Sequence, residues 1–192
     1  MKQLLSGVGL ILLLTFVACR EEVHTPRPIA YYRIELPDHS YRLFDTLYPY
    51  QFEYSKLSYI TAVKNPDHEP YWINIVYPSF NANLFVSYKK VSTNIDTLIN
   101  DSKSFVSAQI QKADDIIEYH IYDSLLNVYG ISYDIQGTNV ACPYQFWLTD
   151  NKSHFFRASL YFNHTPNNDS AAPVIDYIKK DMMHLIETFS WK

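Results

Sequence analysis

The sequence is poor in glycine. Of its four glycines, Gly7 and Gly9 lie in an N-terminal apolar run, which leaves Gly130 and Gly137 for the rest of the chain. A loop that cradles phosphate needs several glycines, because backbone amides must approach the anion without Cβ interference. Walker and dinucleotide-binding fingerprints are therefore excluded, and neither a Gly-x-Ser-x-Gly elbow nor a His-Glu-x-x-His pair is present. Cysteine is scarcer still: Cys19 and Cys142 are the only two. Seven histidines (His24, His39, His68, His120, His154, His164 and His184) are scattered with none at metal-ligand spacing, so each reads as solvated and no metal is expected. Asp114 and Asp115 are adjacent carboxylates past a predicted helix, a solvated boundary rather than an acid/base dyad. Enzymatic chemistry thus has almost no support, and no cofactor is implied. The formal net charge is −4, with no basic tail or helix, which argues against a nucleic-acid partner.

Long apolar runs are also missing, with one exception. Leu4 to Val17 is apolar, follows Lys2, and ends at the small residue Ala18 before Cys19. That run is short against the roughly 20 residues of a membrane span and fits a signal-peptide core. Phe16-Val17-Ala18-Cys19 resembles the lipobox of a bacterial lipoprotein, although Phe16 stands where an aliphatic residue is usual. On this reading residues 1–18 are a signal peptide and Cys19 is the diacylated mature N-terminus, with two acyl chains giving stable anchoring. Cys142 then has no intramolecular partner and reads as a buried, inert thiol. Residues 19–30 form the anchor and an extended tether in which Pro26 and Pro28 disfavour helix. Arg20-Glu21-Glu22 reads as a solvated spacer, and also resembles a surface-export signal.

What is abundant is aromatic: 17 Tyr and 11 Phe, which suit pleated strands and contact surfaces. Residues 31–192 read as a single globular domain. Tyr31 to Pro37 alternates weakly, as an edge strand or docked arm. Alternation recurs at Tyr50–Tyr54, Leu84–Tyr88, Tyr129–Ile135, Tyr144–Leu148 and Phe156–Phe162; Leu57–Val63 reads as a partner of the first, Trp72–Tyr77 as a denser apolar strand, and Ile116–Ile121 as strand-like. Asn65-Pro66-Asp67 marks a turn, and Asn151-Lys152 a hairpin. Ile95, Leu98, Ile99, Phe105, Val106 and Ile110 predict an amphipathic helix over Asn94–Ala113, interrupted by Ser102. A second opens near Asp169 or Ser170, takes Pro173 in its first turn, and turns Asp176, Lys179, Lys180, Asp181 and Glu187 away from its apolar stripe. The order strands, helix, strands, helix predicts an α+β domain: a mainly antiparallel sheet covered by two long amphipathic helices. It resembles the Mog1/PsbP-like layered sandwiches.

The mature chain is similar to the gliding-motility lipoproteins of the GldD family over nearly its whole length. The likeness runs through Pro26-Arg27-Pro28, Tyr31 to Pro37, Pro49 to Tyr54 and Trp72 to Ile75. It is densest in Tyr133 to Gly137, Gln145 to Asp150, Arg157 to Asn163 and Pro173 to Lys192. Relatives carry Cys where this chain has Tyr48 and Tyr71, so a disulfide expected there from the resemblance is absent. The Gly137-Thr138-Asn139-Val140-Ala141-Cys142 loop also departs from the family's pattern. The resemblance implies an accessory or assembly lipoprotein of the gliding-motility and type IX secretion machinery of Bacteroidetes-type bacteria. It would act without catalysis, by contact with other envelope proteins, anchored through Cys19 in the outer membrane and facing the periplasm. The inner membrane and the cell surface are the other placements. Tyr31, Tyr32, Arg33, Trp147 and Trp191 are the candidate contact residues, since such side chains supply contact energy at low entropic cost. Asp45-Thr46-Leu47 and Asp123-Ser124-Leu125 resemble O-glycosylation sites of this phylum, at Thr46 and Ser124; Thr97 and Ser170 share the pattern but read as helix-start residues. The alternative is an envelope lipoprotein that binds or senses a small ligand in a pocket between sheet and helix.

Overall fold

A computed structural model of the protein describes residues 36–63, 69–92 and 94–192. The expected Asn65-Pro66-Asp67 turn, the signal peptide, Cys19 and the tether lie outside them. Among the described residues the strands are β1 (Tyr41–Phe44), β2 (Tyr50–Ser55), β3 (Tyr59–Ala62), β4 (Ile73–Tyr77), β5 (Ala82–Lys90), β6 (Asp115–Asp123), β7 (Val128–Gln136), β8 (Tyr144–Thr149), β9 (His154–Phe162) and β10 (Ser190–Trp191). Helix α1 (Ile95–Ser107) lies between β5 and β6, and α2 (Asn168–Glu187) between β9 and β10. Seven strands form one antiparallel sheet in the order β3-β4-β5-β9-β8-β7-β6. A three-stranded sheet, β1-β2-β10, has β2 at its centre. The fold is α+β, as the pattern predicts.

Strand β8 shows how the layers are built. Tyr144, Phe146 and Leu148 point to one face of the large sheet, Gln145, Trp147 and Thr149 to the other, and all six are buried. Burial on both faces follows from cover on both. On one side, Tyr50 and Phe52 of β2 and Ile178, Met182 and Leu185 of α2 close over Ile75, Leu84, Phe156 and Leu160. Each fully buried side chain of this kind stabilises by about 1.5–3 kcal/mol. On the other side, α1 covers a smaller cluster of Tyr133, Ile135, Trp147 and Phe155 with Val106.

Both helices depart from the sequence pattern at their ends. Helix α1 starts as expected, where the Asn94 side chain accepts a hydrogen bond from the Asp96 amide at 3.0 Å. It stops at Ser107 rather than Ala113. The amides of Gln109, Ile110 and Lys112 bond to carbonyls three residues back, which tightens the chain into turns and leaves Ile110 exposed. Ser102 does not break the apolar face: it is buried, and its hydroxyl is satisfied by the Leu98 carbonyl at 2.9 Å. Helix α2 begins at Asn168, whose side-chain amide donates to the carbonyls of Gly137 and Val140, both at 2.9 Å. Docking on that loop draws the helix start upstream, so Pro173 falls inside the helix and not in its first turn. At that depth the missing amide removes an intrahelical bond.

Candidate functional site

The segment before β1 is tied to α2 by alternating rings and carboxylates. His39 and Tyr41 precede and open β1; Tyr177, Asp181 and His184 fall four and three residues apart on α2, so they share one helix face. His39 stacks on Tyr177 at a centroid distance of 4.0 Å, and Tyr41 stacks on His184 at 3.6 Å. Two carboxylates hold the imidazoles: His39 Nδ1 lies 2.7 Å from Asp181 Oδ1, and His184 Nε2 lies 2.7 Å from Glu53 Oε2 of β2. The Tyr77 hydroxyl donates to Asp181 Oδ2 at 3.2 Å. Burial, and then the Asp181 charge, push the Tyr41 hydroxyl up to about 12 and the Tyr77 hydroxyl well above its usual value. Both tyrosines therefore remain protonated. The two ring stacks and the two imidazole–carboxylate contacts clamp the arm to the helix.

Three of the expected solvated histidines are therefore engaged. His39 and His184 are held as above, and His154 Nδ1 lies 2.6 Å from the Tyr88 hydroxyl. Asp181, expected on the outward face of α2, is 2% exposed. Helical periodicity could not show this, because the arm that covers Asp181 comes from 142 residues earlier in the chain. Lys179 was also expected to face away, and instead pairs with Asp134 of β7 at 2.7 Å.

Strand β6 is one of the two edge strands of the large sheet. This strand has nine residues, pairs among the described residues only with β7, and contains neither Pro nor Lys. Tyr119 and Tyr122 lie on its opposite faces and are 52% and 76% exposed. The turn that follows exposes Leu125 and Leu126. Between this strand and α2 runs a groove of about 340 Å³ lined by Tyr119, Ile121, Tyr144, Met183 and Ile186, with Lys179 and Asp134 among the polar lining groups. Apolar groups beside an unpaired strand edge favour contact with another chain.

The family model described as gliding motility lipoprotein GldD matches residues 21–191. The chain belongs to this family. No curated protein matches it. The solved structure of cyanobacterial PsbP (CyanoP) from Synechocystis sp. PCC 6803 is similar at a TM-score of 0.48 and 14% identity, covering 82% of this chain and 95% of that one. Nothing functional follows from a likeness at that level. Among the described residues no helix is long and apolar enough to cross a membrane.

The contact residues expected from the GldD resemblance are scattered. Tyr31, Tyr32 and Arg33 lie outside the described residues. Trp147 is buried, 7% exposed, because its strand is central and α1 covers its face; it cannot offer its ring to a partner in this conformation. Trp191 is half-buried, stacks on His154 at 5.1 Å, and donates its indole N–H to the Asn127 carbonyl at 3.1 Å. Thr46 and Ser124 are both exposed, in the loop after β1 and the β6–β7 turn. Tyr48 and Tyr71, the positions at which the resemblance led a disulfide to be expected, meet edge to face at 5.3 Å. Cys142 is buried, and burial pushes its thiol up to about 12.

Proposed function

We propose that this GldD-family chain is a lipid-anchored accessory component of the gliding-motility and type IX secretion machinery. It is held in the envelope by a diacylated Cys19 and acts by protein–protein contact without catalysis. The observation that carries this reading is the family match over residues 21–191, which starts two residues after the lipobox-like cysteine. The outer membrane, with the domain facing the periplasm, is the proposed location. Tyr31, Tyr32, Arg33 and the accessible part of Trp191 remain proposed contact residues. Tyr119 and Tyr122 on the β6 edge join them, because exposed tyrosines beside an unpaired edge are suited to a partner chain.

A photo-crosslinking amino acid at Tyr122, in the native host, tests the contact reading. It should give a discrete adduct with another envelope protein. The same group at Thr165, beyond the opposite end of the sheet, should give at least tenfold less. Equal yields at both positions, or none at Tyr122, would remove the β6 edge from the account.

Thr46 and Ser124 are proposed sites of O-glycosylation. In support, both are exposed, and the Leu47 and Leu125 that follow them are 99% and 92% exposed, so both tripeptides are open to a modifying enzyme. The intact mass of the native lipoprotein should exceed the lipidated polypeptide by the mass of at least one glycan. A mass equal to the unmodified lipoprotein would dismiss the proposal.

A further inference from the structure

Among the described residues Arg157 is a cation with no carboxylate beside it. It lies on β9, on the face of the large sheet that α1 covers, directly opposite Ser87 of β5 on one side and Trp147 of β8 on the other. Its Nη2 donates to the Gln145 Oε1 at 2.7 Å, and its guanidinium carbon sits 4.3 Å over the Phe105 ring of α1. Among the described residues it forms no ion pair with a carboxylate. A guanidinium has five N–H donors in a fixed fork, and the bond to Gln145 uses one of them. Burial lowers its pKa, a sign that the charge is incompletely solvated. Charges removed from water are ordinarily paired.

Beside Arg157 opens a pocket of about 350 Å³, lined by Val63, Trp72, Asn74, Phe85, Val86 and Ser87. The lining combines flat and aliphatic walls, two small polar side chains and one cation. That is the composition of a small-molecule site: mostly apolar, with a few polar groups that fix orientation. We propose that this pocket binds the carboxylate of a small organic acid with a flat apolar body. The carboxylate pairs with the Arg157 fork, and the body lies against Phe85. A carboxylate matches the fork in a bidentate geometry and carries one charge for the one cation in the lining. A phosphate dianion would leave a charge unbalanced in a partly desolvated site. The site does not depend on which machinery the chain serves, and Arg157 lies on the opposite face of the sheet from α2.

The test uses the full-length lipoprotein in detergent, titrated by calorimetry with phenylacetate and with indole-3-acetate. Each is compared with its neutral amide and with inorganic phosphate. At least one acid should bind saturably, at least tenfold more tightly than its amide and than phosphate. Ser87→Asp places a carboxylate directly across the strand from Arg157, within cross-strand reach, and should weaken that acid at least tenfold while the protein stays folded. Arg157→Gln carries the same test should Ser87→Asp fail to fold. No saturable binding of either acid, equal affinity for acid and amide, or tighter binding of phosphate would overturn the proposal. So would a folded variant that binds as the wild type does.

Discussion

Asp150 closes the β8–β9 hairpin through one carboxylate. Its Oδ1 accepts the amides of Lys152, Ser153 and His154 at 2.8–3.0 Å, and Oδ2 accepts the Ser153 hydroxyl at 3.1 Å. Burial by itself would raise the pKa of this group, but the bonds from His154, Lys152 and Ser153 outweigh it, and the net shift is below the usual 3.8. A depressed carboxyl contributes stability that is present above its unfolded pKa and is lost as pH falls through the folded one. Asp150→Ala should therefore cost about 1–2 kcal/mol at pH 7. That difference from wild type should shrink as pH drops below 3.8 and the wild-type carboxyl itself becomes protonated. Urea denaturation at the two pH values checks this, and a gap that stayed constant would contradict it. At this scale the sequence was legible where geometry is local. Asn94 as a helix cap and Asn151-Lys152 as a turn needed only their neighbours. Asp181 was not legible, because its partners His39 and Tyr77 come from distant parts of the chain.

Among elements, β7 is tightly constrained at one residue. It lies between β6 and β8, with Gly130 opposite Ile121 on one side and Leu148 on the other. A Cβ at Gly130 would stand 2.0 Å from the Trp147 carbonyl oxygen, a backbone atom that cannot move without shifting its strand. Gly130→Ala should destabilise by about 3 kcal/mol, the upper end of ordinary overpacking, measured as a lower denaturation midpoint with an unchanged slope. Wild-type stability would show that the strand gives way instead. Period-two patterning predicted most of the strands of the large sheet, since their inward residues are apolar by rule. The ends of α1 and α2 escaped it, because they are decided by hydrogen bonds outside the helical pattern. Trp147 escaped for a related reason: a single strand's alternation shows that it has two faces, but not that a helix returns to cover the second.

For the whole molecule, the element order carried the fold class, while the function rests on family membership. The GldD match begins just past Cys19, and the described residues present a β6 edge that exposes Tyr119 and Tyr122 together with a segment before β1 clamped to α2. That arrangement fits a domain held at one end and read by a partner elsewhere. Neither the clamp nor the free edge could be seen in the sequence, since both depend on which distant segments pack together and which strand is left outermost. The measurement that bears most directly on this account is a clean deletion in the native host, complemented with wild type or with Cys19→Ala, scoring colony spreading and type IX cargo secretion in the same strains. An anchored machinery component predicts loss of both on deletion and recovery of both with wild type only. Normal spreading and secretion in the deletion strain would contradict it.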